Sequence, residues 1–220
     1  MRKDYTHISV LLDRTGSMET IRQDTIGGFN SFLKSQKETG GFSTMTLVQF
    51  DSQNPYEIIH DFKSLEEVPE LTRKTYVPRA STPLYDAMGK AIIDLEQKLA
   101  AMPEATRPTR VMLVIVTDGQ ENSSKEFDKK MVQKLIKEKQ QKLDWQFVFL
   151  SADLDAMEDA MATGVKFGSS MMFDKTVAGI ANAWLSLALR TNEFRNEMVQ
   201  NFAFNEDDRA MQDSEKNRKK

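Results

Sequence analysis

Residues 110–117 read Arg-Val-Met-Leu-Val-Ile-Val-Thr, an apolar run stopped by Asp118-Gly119. A strand with one wet face alternates apolar and polar residues. This one does not, so both of its faces are covered, and it belongs in the middle of a parallel sheet. Parallel neighbours are joined by right-handed helical crossovers that cover the sheet on both sides, so helices are expected before and after it. Downstream, a charged helix is expected from about Ser124 to Lys142, then a strand over Trp145 to Leu150 and a short helix near Asp155 to Ala162. A short strand near Ser170 to Phe173 and a final helix from about Val177 to Thr191 complete that half. Upstream, Thr82-Pro83 opens a helix carrying Leu84, Met88, Ala91, Ile92, Leu95 and Leu99, with Thr82 as N-cap, Pro83 at the first helical position and Pro103 marking the end. Further back, His7 to Leu12 is a strand that stops at Asp13, and Gly16-Ser17 leads into a helix with Ile21, Ile26, Phe29 and Leu33 inward. Thr44 to Phe50 reads as a second strand, and Asp51 to Pro55 as a turn that returns the chain along Tyr56 to Ile59, which makes this edge strand antiparallel. The alternation gives a doubly wound, Rossmann-like α/β fold with a mostly parallel sheet of about six strands.

The chain of 220 residues fits one domain, expected over residues 1–192, with a charged extension over residues 193–220. From about Phe204 the composition is too poor in apolar residues to offset the entropy of ordering, so this extension is expected as a solvated or frayed tail, helical or disordered, in preference to a docking segment. A formal charge of -3 gives no basic face for nucleic acid. The chain has no cysteine, which excludes disulfides, thiolate chemistry and Cys-based zinc sites, and its thirteen methionines read as core filler. Ile8 to Leu12 is too short for a signal-peptide core, and no run is long enough to span a membrane, so a soluble, cytoplasmic protein without membrane insertion is expected. The oligomeric state is left open.

In open α/β sheets, ligands sit outside the carboxyl ends of the strands where the strand order reverses. Asp13 ends the first strand and Asp118 follows the most hydrophobic one, so if these strands are neighbours both carboxylates enter one crevice. Thr15, Ser17 and Thr82 lie in loops at the same end. All five residues offer oxygen. Hard divalent cations such as Mg²⁺ take oxygen ligands and often use only one or two carboxylates. A cation held largely by neutral hydroxyls stays electron-poor and attracts an outside carboxylate.

Three segments carry a family resemblance. Asp13-Arg14-Thr15-Gly16-Ser17-Met18 resembles the D-x-S-x-S metal motif of von Willebrand factor type A (vWA) domains. Ser81-Thr82-Pro83-Leu84-Tyr85-Asp86-Ala87 is similar to that family's threonine loop, and Val116-Thr117-Asp118-Gly119 to its T-D-G motif; the resemblance covers about residues 5 to 190. It implies a metal-ion-dependent adhesion site (MIDAS) in which Thr15, Ser17 and Thr82 contact the metal while Asp13 and Asp118 mostly hold metal-bound water. The implied ion is Mg²⁺, with Mn²⁺ or Ca²⁺ as substitutes, and the implied role is noncatalytic binding of a protein partner through its Asp or Glu. Thr15 stands where the family usually has serine, which keeps the hydroxyl but stiffens χ1. On this fold Arg14, Arg79, Gln120, Glu121, Asn122 and Asp153 are expected around the rim.

Two other readings use the same residues. Asp13-Arg14-Thr15-Gly16-Ser17 also resembles the D-K-T-G-T motif of P-type ATPases and related phosphohydrolases, with Asp13 as a Mg²⁺-assisted nucleophile. The early helix at Ser17 leaves no room for the cap expected there, and no lysine motif precedes the acidic loop. A metal-free structural or assembly role is the third reading. Phosphate-binding glycine loops are absent, and His7 and His60 fall at the far end of their strands, which leaves no catalytic base near Ser17.

Overall fold

Strand β4 (Pro108–Thr117) lies between β1 (Arg2–Asp13) and β5 (Gln146–Ser151) and pairs in parallel with both. The computed structural model describes residues 2–217. With β2 (Phe42–Asp51), β3 (Asn54–Ser64) and β6 (Ser170–Met172), these form a six-stranded sheet in the order β3-β2-β1-β4-β5-β6. Only β3 runs antiparallel, at the edge, as the turn at Asp51 to Pro55 requires.

The period of two in a strand sends alternate β4 residues to opposite faces. Met112, Val114 and Val116 join Ile8, Val10 and Leu12 beneath α1 (Arg22–Glu38) and α5 (Val177–Arg195). Leu113 and Ile115 join Leu11 and Val48 beneath α2 (Leu84–Ala101), α3 (Lys129–Leu143) and α4 (Leu154–Ala162). The strand order reverses at β1, which places the ends of β1 and β4 side by side at the carboxyl edge of the sheet.

Two helix starts differ from the sequence expectation. Helix α2 begins at Leu84 with Pro83 as the flanking residue, and Thr82 makes no side-chain cap. Another loop supplies the partners instead, because Glu121 Oε2 accepts from Tyr85 N at 2.9 Å and Ser124 Oγ accepts from Asp86 N at 3.0 Å. Helix α3 begins at Lys129, capped by Asp128, rather than near Ser124. Residues 125–127 are drawn aside by the Asp86 carboxylate, which accepts three of their backbone N–H groups at 2.8 to 2.9 Å.

Between Phe202 and Gln212 the charged extension is docked on the domain and is not a solvated tail. Phe202 and Phe204 are buried in the core beneath α1 and α5. Helix α6 (Glu206–Asn217) then packs on α5, where buried Asp208 pairs with Arg190 Nε at 2.9 Å and Gln212 Nε2 donates to the Gly179 carbonyl at 3.0 Å. Average composition hid this, because two aromatic anchors and one buried ion pair fix the segment. Residues 218–220 of that expected extension lie outside the described residues. No described helix is long and apolar enough to cross a membrane.

Candidate metal centre

Asp13 leaves β1 fully buried, and both carboxylate oxygens are engaged. Oδ1 accepts from Thr15 N at 2.7 Å and Oδ2 from the Thr117 hydroxyl at 2.6 Å. The carboxyl is pushed up to about 7, first by burial, against the hydrogen bonds from Thr117 and Thr15, with the charge of Asp118 adding to the rise. Tyr76 fixes the backbone beneath it by donating its hydroxyl to the Asp13 carbonyl at 2.6 Å.

The loop after β1 then presents two hydroxyls, Thr15 Oγ1 and Ser17 Oγ, 3.3 Å apart. Gly16 N donates to the Ala80 carbonyl at 3.0 Å, which holds this loop against the one carrying Thr82. Ser17 Oγ donates to Asp118 Oδ1 at 2.5 Å, so residues 101 positions apart in sequence meet at the ends of neighbouring strands. Thr82 is buried and its loop is clamped in both directions by Asn122: Thr82 N donates to Asn122 Oδ1 at 2.9 Å, and Asn122 N to the Thr82 carbonyl at 3.0 Å. Because capping of α2 falls to Glu121 and Ser124, the Thr82 hydroxyl is not spent on its own helix.

Gly119 sits among these groups. A Cβ there would stand 3.5 Å from Ser17 Oγ and 3.6 Å from Thr82 Oγ1, so the missing side chain leaves a space faced by hydroxyls from two loops. All five residues named from the sequence, Asp13, Thr15, Ser17, Thr82 and Asp118, therefore gather at one end of the sheet. The donor set is oxygen only, with two carboxylates and three hydroxyls. Such a set fits a hard divalent cation that retains water. Among the described residues no group of three or more His, Cys, Asp or Glu side chains gathers in a metal-binding arrangement. The centre is thus hydroxyl-rich rather than a carboxylate cage.

The expected rim is largely structural. Arg14 turns inward, only 6% exposed, to Asp51 Oδ2 at 2.6 Å and to Glu57. Arg79 shares the same Asp51 oxygen at 3.0 Å, and despite burial these cations and two backbone N–H groups hold the Asp51 carboxyl below its usual range. Glu121 and Asn122 are the clamps just described, and Asp153 caps α4. Gln120 remains exposed, bonded to Asp155. His7 and His60 lie inside β1 and β3, at pairing positions Thr44 and Leu47, rather than at the far ends expected, because both strands extend beyond their most apolar runs. The sequence reading missed Lys175, whose Nζ lies 2.7 Å from Asp118 Oδ2. Nothing local marks a lone lysine 57 residues downstream as a neighbour of Asp118.

No protein-family model matches the sequence, and no curated protein matches it. Solved structures do share its architecture. A von Willebrand factor type A protein from Catenulispora acidiphila superposes over 86% of this chain with a TM-score of 0.55 at 11% identity. The chain has the von Willebrand factor type A fold. The same share of the chain matches mussel byssus proximal thread matrix protein 1, solved with a zinc-occupied MIDAS motif, with a TM-score of 0.59 at 12% identity. It likewise matches a pilus adhesin of Lactobacillus rhamnosus GG in its open conformation, with a TM-score of 0.63 at 12% identity. The chain spans less than half the length of each, 43%, 46% and 30% respectively. At these identities the likeness is one of vWA fold.

Proposed function

We propose that this chain is a noncatalytic protein-interaction module whose divalent-cation site, formed by Asp13, Thr15, Ser17, Thr82 and Asp118, is completed by an Asp or Glu of a partner protein. The observation that carries the reading is the gathering of three hydroxyls and two carboxylates at one end of the sheet, with the Ser17 and Thr82 hydroxyls facing the side-chain-free position Gly119. A zinc-occupied MIDAS motif and an adhesin among proteins of the same fold support it. Mg²⁺ is the ion proposed, with Mn²⁺ or Ca²⁺ able to replace it, and a cytoplasmic setting is retained as part of the reading. Thr15, Ser17 and Thr82 would hold the ion through neutral oxygens, and Asp13 and Asp118 would hold its waters. A divalent ion there supplies an electrophilic position for an incoming carboxylate. Specificity then falls to exposed groups around it, of which Gln120 is one.

The phosphohydrolase alternative asks Asp13 to present a free oxygen to substrate. Asp13 is fully buried, which gives a bulky phosphoryl group no approach to it, and the chain passes from Thr15 into a 3-10 turn (Gly16–Ile21) and then α1, which leaves no inserted cap.

Calorimetric titration with Mg²⁺ and Mn²⁺ tests the reading directly. Binding is expected in the wild type and abolished in Asp13→Ala, with no inorganic phosphate released from a generic phosphate ester. Metal-dependent phosphate release would replace it with the phosphohydrolase. Absence of binding to both ions at millimolar concentration would favour a metal-free assembly role. Gly119→Ala gives a more selective check. Its Cβ meets only ordinary contacts, so the fold should melt within about 2 °C of wild type, while metal affinity falls at least about tenfold because the methyl group fills the space between the hydroxyls.

A further inference from the structure

Asp13 and Asp118 bring two buried carboxylates to adjoining strand ends. Taking such charges out of water is costly without an opposite charge nearby. The arginines around the site are engaged elsewhere, Arg14 with Asp51 and Glu57 and Arg79 with Asp51. The cation on Asp118 is Lys175, from the segment joining β6 to α5. The Asp118 side chain is fully buried, whereas that of Lys175 is 41% exposed. The contact therefore joins an anion that cannot leave to a cation that can. An ammonium on a flexible four-carbon stem is a mobile point charge, unlike the fixed fork of an arginine.

The backbone that carries Lys175 is held firmly. Thr176 N donates to the Asp174 carbonyl at 2.7 Å, and Thr176 Oγ1 caps α5 by accepting from Gly179 N at 3.0 Å. A Cβ on Gly179 would stand 2.5 Å from the Asp174 carbonyl oxygen, so this turn packs against the first turn of α5 with no space for a side chain. Only the lysine side chain is free to move away.

We propose that Lys175 is the resident counter-ion of the site: its ammonium neutralises Asp118 when no divalent ion is present and has to leave that carboxylate for one to be held. The inference rests on the metal-site reading above. It makes Lys175 a determinant of metal affinity, because each binding event includes breaking this ion pair. It also leaves the metal-free protein with one of its two site carboxylates paired to a cation.

The test is calorimetric titration of wild type, Lys175→Met and Lys175→Arg with Mg²⁺ and Mn²⁺, repeated in about 0.5 M NaCl, where exposed charges more than a few ångströms apart are screened. Lys175→Met is expected to bind about tenfold more tightly, the scale of a charge-assisted bond to a buried carboxylate discounted for the exposed lysine. Lys175→Arg, which keeps the cation, should remain within about threefold of wild type. A gain in Lys175→Met that persists at high salt supports displacement. A gain seen only at low salt reports a long-range field and overturns it. Equal affinities in wild type and Lys175→Met overturn it while leaving the metal site intact. Failure of wild type and Lys175→Met alike to bind either ion overturns the metal-site reading and this inference with it.

Discussion

As the pH falls from 6.5 towards 3, His7 alone is expected to withdraw up to about 4 to 5 kcal/mol of folding stability. Its imidazole is lowered from 6.5 to about 3, first by burial and then by the charge of Lys98. The ring is fully buried, Nδ1 lies 2.9 Å from Thr44 Oγ1, and Nε2 has no partner. It also stacks on Phe62 with centroids 3.8 Å apart. The unfolded chain takes up a proton below 6.5 and the folded chain does not until about 3. Within that window the unfolded state binds more protons, so stability present above 6.5 is lost as pH falls, at up to about 1.4 kcal/mol per pH unit. His7→Phe should keep the stack and remove the orphaned nitrogen, while Tyr5 still bonds the Thr44 hydroxyl at 2.8 Å. Urea denaturation at several pH values should therefore give a shallower acid decline for the variant. Equal slopes for the two proteins would discard the assignment.

The second large effect lies between α1 and α5. Trp184 is buried against Phe29 and Phe32, with centroids at 6.1 and 5.9 Å, and Trp184→Ala is expected to cost about 3 to 5 kcal/mol. Gly28 makes this packing geometrically possible: a Cβ there would stand 2.0 Å from Trp184 Cδ1. Its neighbour Gly27 has nothing within 4 Å. Helix propensity alone makes Gly→Ala favourable by about 1 kcal/mol at each position. Gly27→Ala should gain roughly that amount, and Gly28→Ala should instead lose about 1 to 3 kcal/mol by overpacking. The double variant Gly28→Ala with Trp184→Ala should cost less than the sum of its parts, since the new methyl group enters the vacated space. Urea midpoints check the series, and a stabilised Gly28→Ala would remove the packing argument.

The site and the helix packing differ in how much of each can be read locally. The metal candidates were legible because the fold dictates where ligands sit: Asp13 and Asp118 follow recognisable strands, and Thr15, Ser17 and Thr82 lie in the adjoining loops. Arg14 belongs to the same motif yet turns away from solvent to Asp51, a partner 37 residues on that only strand pairing brings close. The Gly28 and Trp184 contact was likewise invisible, because a glycine inside a helical pattern reads as a propensity cost until the opposing helix is in place.

The sequence by itself determined the alternation of strands and helices, the antiparallel edge and the central place of β4, because apolar period and turn chemistry act over a few residues. Only the tertiary structure decided that Thr82 leaves the capping of α2 to Glu121 and Ser124, and that α3 starts after a loop held by Asp86. It alone docked the charged C-terminal segment through Phe202, Phe204 and Asp208, and it alone set Lys175 on Asp118. Each of these is a polar or aromatic contact between residues far apart in sequence. Its free energy depends on burial and on a partner in reach, which the chain acquires only when the sheet has brought its loops together.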